Sequence, residues 1–167
     1  MHVSSSPAYW DNVNEKFYEK YYGLDAKHRE WANLVVHGQP LVSPLGREWP
    51  ISMTVDKHGN PKIPWTVLTN YPVQGTGADL MSIARISFMK YIKQQKLDHI
   101  VLLVSSVHDS IVVDAPAYLL STVADLFHKA FANLIPNIKN IWGYDWQVPL
   151  TCEVKYGPNM KDMTKMT

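Results

Sequence analysis

The chain predicts an α+β fold built on an antiparallel sheet, and three patterns within its 167 residues carry that expectation. Residues 100–113 read as two short apolar strands meeting at His108-Asp109. Their β-branched and leucine-rich runs are too short for a helix and flank a tight turn. Before them, apolar residues at helical spacing (Ala78, Met81, Phe88 or Met89, Ile92) mark a long helix ending near Lys96. After them, Pro116 opens a second amphipathic helix whose buried face is Leu120, Val123, Phe127, Ala130, Phe131 and Leu134. A β-hairpin packed on two long helices, preceded by a small helical and hairpin segment, is the architecture these patterns predict.

The remaining elements follow in order. Ser4-Ser5-Ser6 reads as a frayed terminus. Residues 9–22 and 24–37 predict two helices broken at Gly23. Trp10, Val13, Phe17 and Tyr21 make one apolar stripe and Trp31, Leu34 and Val35 another, both expected in the core. Gly38-Gln39-Pro40 ends the second helix. Residues 41–68 alternate short strands with turns at Ser43-Pro44-Leu45-Gly46 and Lys57-His58-Gly59-Asn60. A loop holding Pro136 and Trp142-Gly143 leads to a last strand over residues 149–154, which carries the single cysteine, Cys152, as a core residue. There are no repeats and no low-complexity tract.

Bulk properties narrow the function classes. A formal net charge of +1 gives no global basic signature, so any phosphate contact falls to local stretches such as residues 155–165. One cysteine permits no internal disulfide, which suits a reducing compartment. No apolar run approaches the ~18 residues of a membrane span and no signal peptide opens the chain, so a soluble, cytoplasmic protein is expected. One Cys with scattered histidines argues against a zinc site. No nucleophile elbow surrounds Ser105, Ser106 or Ser110, which argues against a serine hydrolase.

The hairpin tip is the strongest chemical signal. Strands hold a tip carboxylate rigidly while its head reaches a cleft, as a metal-binding acid requires. An Asp in a turn also bonds its own backbone, so the tip alone leaves both roles open. Asn70-Tyr71-Pro72-Val73-Gln74-Gly75-Thr76-Gly77-Ala78-Asp79 supplies the second signal. Asn70 and Gln74 share a face if the helix has already begun there, and Gly75 and Gly77 let backbone approach a ligand.

N-x-P-x-Q-G-T-x-A-D before a helix, then V-H-D before a strand about thirty residues later, together resemble the C-terminal palm of family A DNA polymerases. Pro149-Leu150-Thr151-Cys152-Glu153-Val154 looks like that family's final strand. Lys155-Tyr156-Gly157-Pro158-Asn159-Met160 is similar to its closing K-x-G-P-N-W, with Met160 in place of Trp. Ser43-Pro44-Leu45-Gly46-Arg47 is like its T-L-D-G-R turn. The resemblance covers residues 10–162. It implies an antiparallel palm sheet, with residues 1–65 as the end of the fingers and connecting hairpins, and 66–167 as the C-terminal part of the palm.

The same resemblance implies two-metal nucleotidyl transfer with Mg²⁺ as cofactor, and primer–template DNA and a deoxynucleoside triphosphate as partners. Asp109 matches one metal-binding aspartate, and His108 is placed to bond the primer end. Asn70, Gln74 and Arg47 join His108 as DNA contacts, the amides meeting minor-groove acceptors that every base pair shows. Glu153 aligns with a palm glutamate that supports the metal site.

Departures from the family pattern shape the expectation. The D-x-S-x-I-E segment bearing the other aspartate is missing, and neither Asp56 nor Asp114 has its context. The nucleotide-binding helix R-x-x-x-K-x-x-x-Y-G is missing too, since Tyr18 stands where residues 16–23 would need Lys. Ser110 replaces the Glu of H-D-E, as in single-subunit RNA polymerases, and Thr66 replaces a basic residue. The chain therefore predicts half an active site: the C-terminal part of a split or truncated, phage-like DNA polymerase completed by a second polypeptide. The alternatives are a non-catalytic DNA-binding remnant and a fragment of an RNA polymerase.

Overall fold

Ser6 opens the first helix by accepting the Tyr9 amide on its hydroxyl at 3.3 Å, with Pro7 at the first helical position. This computed structural model describes residues 6–166, so Ser4 and Ser5 of the expected frayed terminus lie outside the described residues. Helix α1 (Pro7–Lys20) and helix α2 (Tyr22–Val36) break at Tyr21, whose φ of −114° and ψ of 53° leave the helical region. The expected break at Gly23 is thus corrected by two residues. Gly23 lies in the first turn of α2, where backbone amides lack intrahelical partners anyway.

The Trp10, Val13, Phe17 and Tyr21 stripe is not core: all four are exposed, and α1 buries no residue. These aromatics pack on one another, Phe17 lying 5.0 Å from Tyr21 between ring centroids. Periodicity identifies an apolar face but says nothing of what covers it. The second stripe does pack inward. Val35 joins Ala32, Leu41, Ile51 and Leu68 in a buried cluster, with Trp31 and Leu34 against it.

Two small antiparallel ribbons follow: β1 (Leu41–Val42) with β2 (Glu48–Trp49), and β3 (Thr54–Val55) with β4 (Pro61–Lys62). Their turns have the expected chemistry. Ser43 Oγ accepts the Leu45 and Arg47 amides, and Asp56 Oδ1 accepts the His58 and Asn60 amides at 2.8 and 2.9 Å. Gly46 and Gly59 sit at φ +84° and +81°, where a side chain would be strained.

Helix α3 (Trp65–Gln94) is longer than expected, since the segment from Asn70 to Gly77 is already helical. Pro72 inside it has no N–H for the Leu68 carbonyl, which Pro would ordinarily forbid at about 3 kcal/mol. The chain divides into two compact units just beyond this missing rung, one running through Val73 and the other from Gln74.

The second unit holds the hairpin β5 (Leu102–Val107) and β6 (Ser110–Asp114), a 3₁₀ turn (Ala117–Leu119), α4 (Leu120–Ala132) and α5 (Leu134–Trp142). A last ribbon pairs β7 (Lys155–Tyr156) with β8 (Thr164–Lys165). Three expectations change here. Residues 134–142 are a helix rather than a loop, because Pro136 falls in the first turn, where its missing N–H is harmless. Residues 149–154 form no strand, having no described strand beside them. The strands form four separate two-stranded ribbons rather than one sheet, within the α+β class.

The second core joins Phe88 and Ile92 of α3 to Val101 and to Val123, Leu126 and Ala130 of α4, with Val113 of β6 packed against it. The Phe88 and Phe127 rings stack at 4.0 Å, 8° apart. One side of the hairpin therefore meets the two long helices. The other does not: Leu102, Val104 and Val107 are exposed, so the hairpin is covered on one side only. Among the described residues no helix is long and apolar enough to cross a membrane.

Phe88 is fully buried, so Phe88→Ala should lower the free energy of unfolding by about 3–5 kcal/mol. Urea or guanidinium denaturation measures this, and a loss below about 1 kcal/mol would contradict the α3–α4 core.

Candidate active site

Val107 and Ser110 pair across the end of β5 and β6, so His108 and Asp109 form a two-residue connection. Such turns demand positive φ, ordinarily met with Gly or Asn. Here His108 takes φ +51°, a left-handed conformation that costs a side-chain-bearing residue about 1–2 kcal/mol. Ser110 Oγ donates to the Val107 carbonyl at 2.8 Å, tying the two strand ends together beneath the turn. Between the Leu103–Val113 and Ser105–Val112 pairs, Val104 is an extra residue on β5. A bulge of this kind bends the strand and sharpens its twist toward the tip.

Asp109 is exposed, and no described residue hydrogen-bonds to its carboxylate or pairs with it. Some other site candidates do have partners. Asn70 Nδ2 donates to the Thr66 carbonyl at 2.8 Å, one turn back on α3, leaving its second N–H and its oxygen available. Gln74 is exposed on the same helix. Arg47 follows the β1–β2 turn, its amide donating to Ser43 Oγ. Asp56 is a turn-capping carboxylate. The Asn60 amide, then that of His58, holds its carboxyl below the usual range.

Glu153 pairs with Lys165 at 2.5 Å and with Lys155 at 3.3 Å, flanking the β7–β8 ribbon. The hydrogen bond from Lys165, then that from Lys155, holds its carboxyl below the ordinary glutamate range. Gly157 has a structural reason in the same ribbon, since a Cβ there would lie 1.9 Å from the Asp162 carbonyl oxygen. Cys152 is half-buried, with Sγ 3.6 Å from His128 Nδ1, and burial pushes its thiol up.

By unit, Arg47 and Asn70 belong to the first, and Gln74, His108, Asp109 and Glu153 to the second. His108 and Asp109 stand together at the tip. The recorded partners of Glu153 are lysines. Among the described residues no three His, Cys, Asp or Glu side chains converge to hold a metal. The donor chemistry of the tip still suits a hard divalent cation, because Asp109 offers free carboxylate oxygens. Mg²⁺ needs only one or two such groups beside water and substrate phosphates. The sequence reading missed the positive φ of His108, the Ser110 strut and the bulge. The absence of Gly from a two-residue connection was the signal for the first.

Two outcomes follow. His108→Gly should leave stability within about 1 kcal/mol of the native chain, because relief at φ offsets glycine's greater freedom when unfolded. His108→Val should lower stability by about 1–2 kcal/mol. Equal effects in denaturant unfolding would contradict the left-handed turn. For Glu153, the depressed folded-state value means that its ion pairs stabilise at neutral pH. That contribution fades as pH falls below the ordinary carboxylate range, through the folded value. A carboxyl NMR titration should place Glu153 below a free glutamate in the native chain and nearer to it in Lys165→Ala; no upward movement would exclude Lys165 as the principal cause.

Comparison with known proteins completes the picture. The sequence model of DNA polymerase family A matches residues 3–162. A stretch of 97 residues is 30% identical to DNA polymerase I of Chloroflexus aurantiacus, covering 58% of this chain and 9% of that protein. A stretch of 94 residues is 33% identical to DNA polymerase I of Deinococcus radiodurans, covering 56% of this chain and 8% of that protein. The DNA polymerase I of Caldicellulosiruptor bescii is 29% identical over 93 residues, 56% of this chain and 10% of its own length. The matched stretches thus span about a tenth of these relatives. With a family match running through nearly all of its residues, the chain belongs to DNA polymerase family A.

Proposed function

We propose that this chain is the C-terminal part of a DNA-directed DNA polymerase, acting in DNA replication in the cytoplasm. It binds primer–template DNA and supplies one of two metal-binding aspartates, Asp109. The observation that carries this reading is a carboxylate without a protein partner, mounted on a two-residue hairpin tip beside His108. In the reaction, the primer 3′-oxygen bonds to the α-phosphorus of the incoming triphosphate as the bond to pyrophosphate breaks. Mg²⁺, when bound, lowers the pKa of that 3′-hydroxyl and neutralises charge on the phosphates.

The chain's own groups have distinct tasks in this scheme. Asp109 offers hard oxygen ligands whose position is set by paired strands rather than by a flexible loop. His108 presents its ring at the same tip toward the primer end. The free N–H of Asn70 and the amide of Gln74 donate to purine N3 and pyrimidine O2 in the minor groove, a grip indifferent to sequence. Gly77 supports the same surface: a Cβ there would meet nothing within 4 Å, so internal packing does not require glycine. A helix-interior glycine is about 1 kcal/mol less favourable than alanine, and close approach of DNA backbone accounts for retaining it. The second aspartate and the nucleotide-binding helix come from outside these residues.

The test is reconstitution. The chain alone should extend no primer. Mixed with a polypeptide carrying D-x-S-x-I-E and R-x-x-x-K-x-x-x-Y-G, it should incorporate deoxynucleotides. Asp109→Ala should reduce that activity by roughly 10³-fold or more, the scale of losing one well-placed electrostatic group. Undiminished extension by the mutant mixture would remove Asp109 from the chemistry. Primer–template binding without activity in any mixture would identify a non-catalytic DNA-binding chain.

A further inference from the structure

A groove of about 780 Å³ runs between α3 and β5 within the second unit, away from the hairpin tip. Ile86, Met89 and Leu103 contribute apolar surface, and Arg85, Lys90 and Lys93 contribute cations. None of these three cations has a carboxylate partner among the described residues. Ile86 is 66% exposed and lies on the groove side of α3, next to the cations.

The strand beside this groove is open as well. β5 pairs only with β6 among the described strands, so its other edge carries backbone N–H and C=O groups without a strand partner. Natural edge strands are guarded by lysine, proline or an inward charge. The β5 sequence Leu102-Leu103-Val104-Ser105-Ser106-Val107 has none of these, only the bulge at Val104. Its exposed side chains, Leu102 at 49% and Val104 at 58%, are apolar and β-forming.

We propose that this groove is a docking site for an extended acidic segment of another polypeptide, added as a strand along the free edge of β5. The reading does not depend on polymerase activity. Charge complementarity selects the partner. From Arg85 to Lys93, eight helical steps, α3 rises on the order of 12 Å, and residues i, i+2 and i+4 of a strand span about 13 Å. A strand with glutamates at alternate positions lays their methylene stems on Ile86, Met89 and Leu103 while their carboxylates meet the three cations. Its intervening apolar residues stand beside Leu102 and Val104. Strand addition also satisfies both kinds of backbone group on the edge. Nucleic-acid phosphates offer acceptors alone, which leave the β5 carbonyls unmet and the apolar floor wet.

A fluorescein-labelled heptapeptide with glutamate at odd and valine at even positions tests the proposal by anisotropy titration on the full chain. Saturable binding is expected, with slowed amide hydrogen exchange along residues 102–107. The Lys90→Glu, Lys93→Glu double variant, checked for native circular dichroism, should weaken binding at least tenfold. Asp109→Ala should leave it unchanged, which separates this site from the tip. No saturable binding up to about 1 mM peptide would overturn the proposal. Equal binding of a lysine–valine peptide would overturn the charge rule, and equal binding of a proline-interrupted peptide would overturn strand addition. Displacement of the peptide by duplex DNA with the same double-variant sensitivity would reassign the groove to nucleic acid.

Discussion

The stacking of Phe88 on Phe127, where α3 meets α4, is the contact on which the geometry of the second unit rests. A two-stranded hairpin is marginal in water by itself, since it can bury only one face and then only against something else. Here Val101, leading into β5, and Val113 in β6 belong to the apolar cluster that Phe88 and Ile92 build with Val123, Leu126 and Ala130. From Val113 the strand runs only a few residues to the turn, so a tip distant from the core inherits its rigidity. Anything that loosens α3 against α4 therefore moves Asp109 without touching it.

Rigidity from below explains why the tip can carry an uncommitted carboxylate. Several polar side chains singled out by the sequence are already bonded: Asn70 to the Thr66 carbonyl, Asp56 to two turn amides, Glu153 to two lysines. Each such bond fixes a head group and also occupies it. Asp109 has no such anchor. Its backbone is instead held by the paired strands, the Ser110 strut and the bulge, so its oxygens are positioned while remaining open to solvent or ligand. The strain at His108, held by the same strands, is the kind of local cost found where a turn is shaped for a purpose beyond connection.

What the sequence disclosed, and what it withheld, divides along physical lines. Alternation and helical spacing located α2, α3, α4 and the β5–β6 hairpin, because the buried residues Val35, Phe88, Ile92, Val123 and Ala130 face partners supplied by the chain itself. The same spacing misled at Trp10, Val13, Phe17 and Tyr21, where the apolar face exists and no described element covers it. Proline misled twice. At Pro72 and Pro136 it lies inside a helix, once in the interior and once in the tolerant first turn. Residues 149–154 have strand composition, yet a strand is a relation between segments and the neighbour is not among the described ones. At the candidate site the identity of Asp109 was legible; its freedom from partners was not, since that depends on where the fold places every other polar group.

Charge places a last constraint on how such a chain meets other molecules. With a net charge of +1 it has no long-range field to draw in an anion, so recognition depends on cations placed where contact is made. At physiological ionic strength the screening length is about 8 Å, and only charges at the contact itself count. Arg85, Lys90 and Lys93 meet that condition because they sit over apolar side chains and lack acids of their own. The tip meets the opposite one, a carboxylate that no described lysine or arginine pairs with. The two features are complementary in sign and separate in chemistry. A partner that covers the β5 edge therefore neutralises the groove through its carboxylates, whereas one that completes the tip must bring cations or share a metal. A single surface cannot do both with the same residues, and an assembly serving both sites must reach each with a different segment.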